Sequence, residues 1–286
     1  MKHALLITVY NDFDCLYKML TYYTGTLGLD CYVHIDKKAS ISSDMLTKLK
    51  SINHVTVLRK YRINWGSYKH PLSFIRLMQV ASKQNTYDFF HLISANTFVG
   101  VSKESFYAFF SQHKDNSFVE YIRFKGTDAE NDLRRWYQFY RFQFLYNRRG
   151  KHAAFWNNFE YYGIKLQEKL GIKRNIDFTF KGYVYCHLNK EAANYVLSHY
   201  RIYIPMIKYC HVGEEFFFQN MLLNSELQSS IINDSLIFDD WSPERERPAI
   251  LNEKDLPLFQ KSQKMFLRKI SSPEMIDKVI ANSKNT

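Results

Sequence analysis

Glu214 and Glu215 stand side by side at the head of the apolar run 216–223, which reads as a helix. Two adjacent acids in a first helical turn have two readings: ordinary complement to the positive end of a helix, or a carboxylate placed to accept a proton. A second acid pair, Asp12-Phe13-Asp14, has the Asp-x-Asp spacing of a metal site. It follows the first strand directly, so it reads as a helix N-cap with first-turn charge. Asp36 closes another apolar run, as a turn residue or as an acceptor for a ligand. Near the C-terminus lie Arg245, Arg247 and Lys269, cations of the kind that hold phosphate groups. The chain has no G-x-G-x-x-G, no G-x-x-x-x-G-K-[ST], no G-x-S-x-G and no H-E-x-x-H. Dinucleotide, P-loop, hydrolase-elbow and zincin sites are therefore not expected.

The elements that must carry these residues alternate. Residues 4–10, 31–35, 54–58 and 89–94 are short apolar runs with β-branched content, and 118–122 is a fifth. Between them, 13–23, 71–81 and 103–110 carry apolar residues at helical spacing. Such a βαβ rhythm implies a mostly parallel sheet covered on both faces, with ligands beyond the carboxyl ends of the strands. Those ends are Tyr10-Asn11-Asp12, Asp36-Lys37-Lys38 and Ser94-Ala95-Asn96-Thr97. Further on, 182–188 and 230–238 read as strands, 190–198 and 214–223 as helices, and 255–286 as a basic helical tail. Between 131 and 169, Arg134, Arg135, Arg141, Arg148 and Arg149 interleave with aromatic residues. That pattern fits an amphipathic helix whose arginine stems cover apolar surface, or a basic-aromatic platform for a sugar or nucleic acid. No repeat or low-complexity linker divides the 286 residues, which points to one domain.

Composition sets bounds. With 46% hydrophobic and 23% charged residues the chain is an ordinary globular protein, and no apolar run reaches the ~18–20 residues of a membrane span. Cys15, Cys31, Cys186 and Cys210 lie far apart without metal-ligand spacing and are expected as buried free thiols. The formal charge of +11 suits nucleic acid, an anionic membrane face or a phosphate-bearing substrate, and does not choose among them.

Seven stretches in register make the choice. His3–Val9 with the following Tyr10-Asn11 resembles the opening strand of the core-2/I-branching β-1,6-N-acetylglucosaminyltransferase family, which includes peptide O-xylosyltransferases and bacterial polysaccharide enzymes. Val33-His34-Ile35-Asp36-Lys37-Lys38 resembles its hIHxDxK segment, Asn64-Trp65-Gly66-Ser67-Tyr68 its WGxYS turn, and His91-Leu92-Ile93-Ser94 its HLLSG strand. Gly213-Glu214-Glu215-Phe216-Phe217-Phe218-Gln219 resembles PDExFFQT, Asp239-Asp240-Trp241 resembles xIDW, and Phe266-Leu267-Arg268-Lys269-Ile270 resembles FARKF.

The resemblance implies an α/β fold of the glycosyltransferase-A type: a mostly parallel central sheet with helices on both faces, in a single domain over 1–286. Residues 1–125 would form its nucleotide-binding half and 126–286 its acceptor-binding and catalytic half. It implies inverting transfer from a UDP-sugar to a hydroxyl of a glycan or lipid-linked oligosaccharide, with no metal and no other cofactor. Glu215 matches the base, at a helix end that favours its ionised form, with Glu214 as the fallback or a donor contact. Lys269 and an arginine, Arg247 or Arg245, match the cations that replace the metal. Val9 and Asp36 match uridine contacts, and Trp241 an acceptor contact. Nucleic acid is not an expected partner.

Three departures are visible: Ala95-Asn96-Thr97 stands where relatives often keep an acid, Tyr10 where they keep a histidine, and Gly182-Tyr183-Val184-Tyr185 where they have a serine-rich GSxW. They imply an altered donor or acceptor pocket. A noncatalytic glycan-binding protein that kept the fold is the alternative. The sequence begins almost at the first strand, which suits a bacterial cytoplasmic enzyme of surface polysaccharide synthesis, in peripheral contact with the inner membrane face.

Overall fold

The computed structural model describes residues 1–283, apart from 148, 149, 243, 246 and 247. The chain opens with strands β1 (His3–Val9), β2 (Asp30–Ile35), β3 (Val55–Leu58) and β4 (Phe89–Ser94). Between them run helices α1 (Phe13–Tyr22), α2 (Ser43–Ser51) and α3 (Lys69–Gln84). Strand β5 (Thr97–Val99), helix α4 (Lys103–Gln112) and strand β6 (Ser117–Arg123) follow, then helices α5 (Glu130–Gln138) and α6 (Ala153–Lys169). The second half continues with β7 (Phe180–Asn189), α7 (Lys190–Ile207), α8 (Glu214–Leu223), β8 (Ile231–Ile232) and β9 (Ile237–Asp239). It ends with α9 (Leu256–Lys261), β10 (Phe266–Arg268) and α10 (Pro273–Ser283).

Seven strands form the central sheet in the order β3-β2-β1-β4-β7-β6-β8. The first four are parallel, β7 runs antiparallel to β4 and to β6, and β8 is parallel to β6. Every residue of β1 and β4 is buried, so the middle of the sheet is covered on both faces, as its uninterrupted apolar runs require. A small sheet, β5-β10-β9, sits beyond the end of β4. One contiguous core reaches from Ala4 to Val279. All four cysteines lie in it as free thiols.

Three local expectations need correction, and a fourth is met in position alone. The stretch 230–238 is not one strand: Asp234 Oδ1 accepts from the Leu236 amide at 2.6 Å, and Leu236 takes a φ of 54°. That turn sends β8 to the large sheet and β9 to the small one. The tail is not wholly helical. Phe266 and Leu267 are fully buried, and pairing with β5 and β9 overrides the basic surroundings to make β10 a strand. The arginine-aromatic segment is not one helix: it is helical again from Ala153 to Lys169, but its first helix ends at Gln138. Beyond it the Tyr140 amide donates to Gln167 Oε1 and the Arg141 amide to the Tyr209 carbonyl, so these backbone bonds lie outside any helix. Arg148 and Arg149 lie outside the described residues. Asp12 does hold the N-cap position of α1, but with a φ of 56° and no capping bond from its side chain.

Gly182 fixes how closely β7 and β6 approach beside the site. A Cβ there would lie 2.0 Å from the Glu120 carbonyl oxygen, next to the register shift between Val119 and Tyr121. Gln219 Nε2 stitches the same place by donating to the Glu120 and Tyr183 carbonyls. Gly182→Ala is expected to cost about 1–3 kcal/mol, read as a lower urea midpoint. An unchanged midpoint would show that the bulge yields freely.

Candidate active site

The C-terminal end of β1 meets the first turns of α3 and α8. Thr8 Oγ1 lies 3.2 Å from His70 Nε2, and His70 Nδ1 lies 2.7 Å from Glu214 Oε2. Three segments far apart in sequence are joined by these two contacts. Glu214 is buried, and this histidine bond meets the need of a buried carboxylate for a partner.

Beside it, Glu215 Oε2 pairs with Lys181 Nζ at 2.5 Å, while Oε1 has no partner among the described residues. The Lys181 ammonium also lies over the Trp136 ring, 5.3 Å from its centre. Burial raises the Glu215 carboxyl above the ordinary range, and the Lys181 charge opposes that rise. The helix end alone suggested an ionised carboxylate; burial outweighs it and makes Glu215 a stronger base. Since the base acts ionised, kcat/KM should rise with pH through this elevated pKa. Lys181→Met removes the opposing charge, so the acid limb of the pH profile should move to still higher pH. A limb that stays in place would detach Lys181 from the base.

Lys181, Tyr183 and Tyr185 project from the same face of β7. The Tyr185 ring meets His70 edge-on, with centres 6.0 Å apart. Arg268, from β10, lies over both tyrosine rings, at 5.2 Å from Tyr185 and 5.6 Å from Tyr183. Its Nη1 donates to Tyr183 Oη at 2.5 Å, and its Nε reaches Ser94 Oγ at 3.5 Å. Burial, chiefly, keeps the Tyr183 phenol protonated, so it donates onward to Asp239 Oδ2 at 3.0 Å. A cation is thus seated against the turn after β4.

Each residue singled out from the sequence, Arg247 apart, can be placed. Glu214 and Glu215 share the head of α8. Val9 ends β1, and its carbonyl accepts from the Asp36 amide at 2.8 Å. Asp36 is buried, and its carboxylate accepts from the amides of Lys38 and Ile63, tying together the loops after β2 and β3. Lys269 follows β10, and the next amide, Ile270, donates to the Asn96 carbonyl at 2.9 Å. This brings the lysine's backbone to the turn after β4, and its ammonium has no ion-pair partner among the described residues. Arg245 is tied elsewhere: it pairs with Asp240 at 2.8 Å and Asp255 at 2.9 Å and donates to the Ile250 carbonyl. A phosphate would have to compete with two carboxylates there. Arg247 lies outside the described residues. Trp241 is exposed just past β9. Among the described residues no group of three or more His, Cys, Asp or Glu side chains is placed to hold a metal ion.

His70, Lys181, Tyr183 and Arg268 were not foreseen as site residues. Arg268 is next to Lys269 and was legible as a cation. His70 stands 144 residues from Glu214 and carries no sequence signal of that pairing.

Comparison with known proteins gives the chain its family. Residues 11–262 match the family model Branch, described as Core-2/I-Branching enzyme. The chain belongs to the Core-2/I-Branching enzyme family, a family of glycosyltransferases. No curated protein matches it in sequence. Among solved structures it is similar to HddC from Yersinia pseudotuberculosis, at 12% identity over 43% of this chain and 60% of that one, with a TM-score of 0.28. It is also similar to the bifunctional glycosyltransferase WbbM in its apo form, at 10% identity over 100% of this chain and 50% of that one, TM-score 0.43. The galactosyltransferase LgtC, solved with donor and acceptor sugar analogues, is similar at 9% identity over 98% of this chain and 95% of that one, TM-score 0.40.

Proposed function

We propose that this glycosyltransferase is inverting and metal-independent, and moves a sugar such as GlcNAc or xylose from a UDP-sugar to a glycan hydroxyl with a β-linkage. The observation that carries the reading is Glu215: a part-buried carboxylate, raised in pKa, with one oxygen held by Lys181 and the other open. In the transfer step Glu215 takes the acceptor hydroxyl proton. The acceptor oxygen forms its bond to the anomeric carbon as the bond from that carbon to the diphosphate oxygen breaks, and UDP leaves with the electron pair. The departing negative charge needs fixed cations. Lys269 and Arg268, beside a turn that offers Ser94 and Asn96 in place of carboxylates, supply them, with Arg247 a further candidate. Uridine lies across the ends of β1 and β2 near Val9 and Asp36, in the 1–125 half, and the acceptor stacks near Trp241, in the 126–286 half.

The setting that fits is bacterial surface polysaccharide synthesis on a lipid-linked acceptor, at the cytoplasmic face of the membrane. No helix among the described residues is long and apolar enough to cross a bilayer. The formal charge of +11 suits attraction to anionic lipid.

The test is UDP release across a panel of UDP-sugars, with and without excess chelator. Turnover unchanged by chelator is expected, and Lys269→Met should raise KM for the donor about 10- to 100-fold, the worth of a charge-assisted contact. Activity restored only by added divalent cation would sink metal independence. Donor binding without any UDP release would favour a noncatalytic glycan-binding protein.

A further inference from the structure

Helix α6 turns little apolar surface inward. Beside Ile164 and Trp156, its inward side chains are polar: Glu160 pairs with Arg141 and accepts from Tyr146 Oη, and Gln167 bonds the Tyr140 backbone in both directions. Its outward face carries Phe155, Phe159, Tyr162 and Leu166, each more than half exposed. Their spacing of four, three and four residues sets them in one straight stripe along the helix. The stripe belongs to a wider apolar surface. Ten of the nineteen exposed large apolar side chains among the described residues lie between 140 and 172. Water gives no reason to keep such a stripe on the outside.

The charges around it say what covers it. From 139 to 176 the sequence has eight basic and two acidic residues. Both acids are engaged, Glu160 with Arg141 and Glu168 with Arg135. Lys165 and Lys169 flank the stripe, and the exposed Lys151 and Lys173 stand before and after the helix. An aromatic face rimmed by lysine is the composition of a helix lying in the plane of an anionic lipid surface. A second copy of this chain fits less well, because its lysines would face these.

We infer that the Phe155–Phe159–Tyr162–Leu166 face of α6 docks in an anionic membrane surface and holds the catalytic cleft against it. The inference deepens the membrane-face part of the proposed function and rests on it. Continuity with the site supports it. Gln143, in the segment leading to α6, donates to the Trp65 carbonyl at 2.9 Å and accepts from the Val212 amide at 3.1 Å. Val212 is two residues ahead of Glu214. An acceptor anchored in lipid beneath α6 would meet the rim of the cleft without leaving the surface.

Co-sedimentation with vesicles tests this, using phosphatidylcholine alone and an equimolar mixture with phosphatidylglycerol. The protein should prefer the mixed vesicles, and high salt should weaken that preference. The double variant Phe159→Ser, Tyr162→Ser should lose about a hundredfold in partitioning to mixed vesicles, while its UDP release from soluble donor is unchanged. Partitioning of the double variant equal to wild type would overturn the inference. So would no wild-type binding to mixed vesicles, or a dimer that the double variant disperses without any loss of vesicle binding. The two readings fail separately: Glu215→Gln with full UDP release defeats the transferase chemistry and leaves vesicle binding untouched.

Discussion

Glu215→Gln should lower UDP release by about 10²- to 10⁴-fold, the usual worth of a positioned general base. The substitution keeps the size of the side chain and its ability to accept a hydrogen bond from Lys181, so the fold and the donor site should persist. Donor binding, read as thermal stabilisation by UDP-sugar, is expected to stay near wild type while turnover collapses. That split separates loss of the base from loss of structure. Glu214→Gln should act differently. Glu214 is buried and its oxygen meets His70 Nδ1, so its replacement disturbs the contact between α3 and α8 more than the proton transfer. Stability should fall, with a smaller loss of turnover per folded molecule. Wild-type turnover in Glu215→Gln beside a dead but folded Glu214→Gln would reverse the assignment. Lys181 adds a control. It is the neighbour that opposes the raised pKa of Glu215, so its loss should change the pH profile in a way that a merely structural contact would not.

How far this site was legible in the sequence depended on the range of the signal. The parallel strands were clear because β1, β2 and β4 are buried on both faces, and such burial writes itself as a mostly apolar run. Strand β10 was hidden. It has three residues, one of them Arg268, and only its pairing with β5 and β9 makes it a strand. Glu215 was visible because it heads an apolar helix. Its partner Lys181 was not, since a lysine in a strand has many uses and only the packing of α8 on β7 selects one. Arg245 shows the opposite failure. A basic residue in the right region invited a phosphate, but Asp240 and Asp255 are five and ten positions away and the fold turns them onto its guanidinium. Charge type is written locally, whereas the partner of a charge is decided by the return of the chain.

Acid should unfold this protein from within, through a ladder of three buried histidines. His187 Nε2 lies 2.8 Å from the Ser235 carbonyl, which can only accept, so that nitrogen carries the proton. His187 Nδ1 is then an acceptor, and His91 Nδ1, 3.1 Å away, must donate to it. His91 Nε2 is left to accept from His3 Nδ1 at 3.0 Å, and His3 Nε2 ends the ladder as a buried atom without a partner. All three rings are therefore neutral, and protonating His91 or His187 turns an acceptor into a donor facing a donor. Burial pushes His3 and His187 down to about 4 and His91 well below its ordinary value. His34 is also lowered to about 4, chiefly by burial, and its Nε2 accepts from the Lys60 and Tyr61 amides.

The sign follows from linkage. Below about 6.5 the unfolded chain binds protons that the folded chain refuses, so stability is full above that pH and falls as pH drops towards about 4. His3, His34 and His187 each contribute on the order of 3 kcal/mol across that window, and His91 adds to them in the same direction. A domain has about 5–15 kcal/mol in total, so unfolding should intervene before all of them have titrated. Urea melts at pH 7.5, 6, 5 and 4.5 should show a falling midpoint, with net proton uptake on unfolding. A midpoint that stays level between pH 6 and 4.5 would mean that these rings already carry charge in the folded protein, and the tautomer ladder would have to be abandoned.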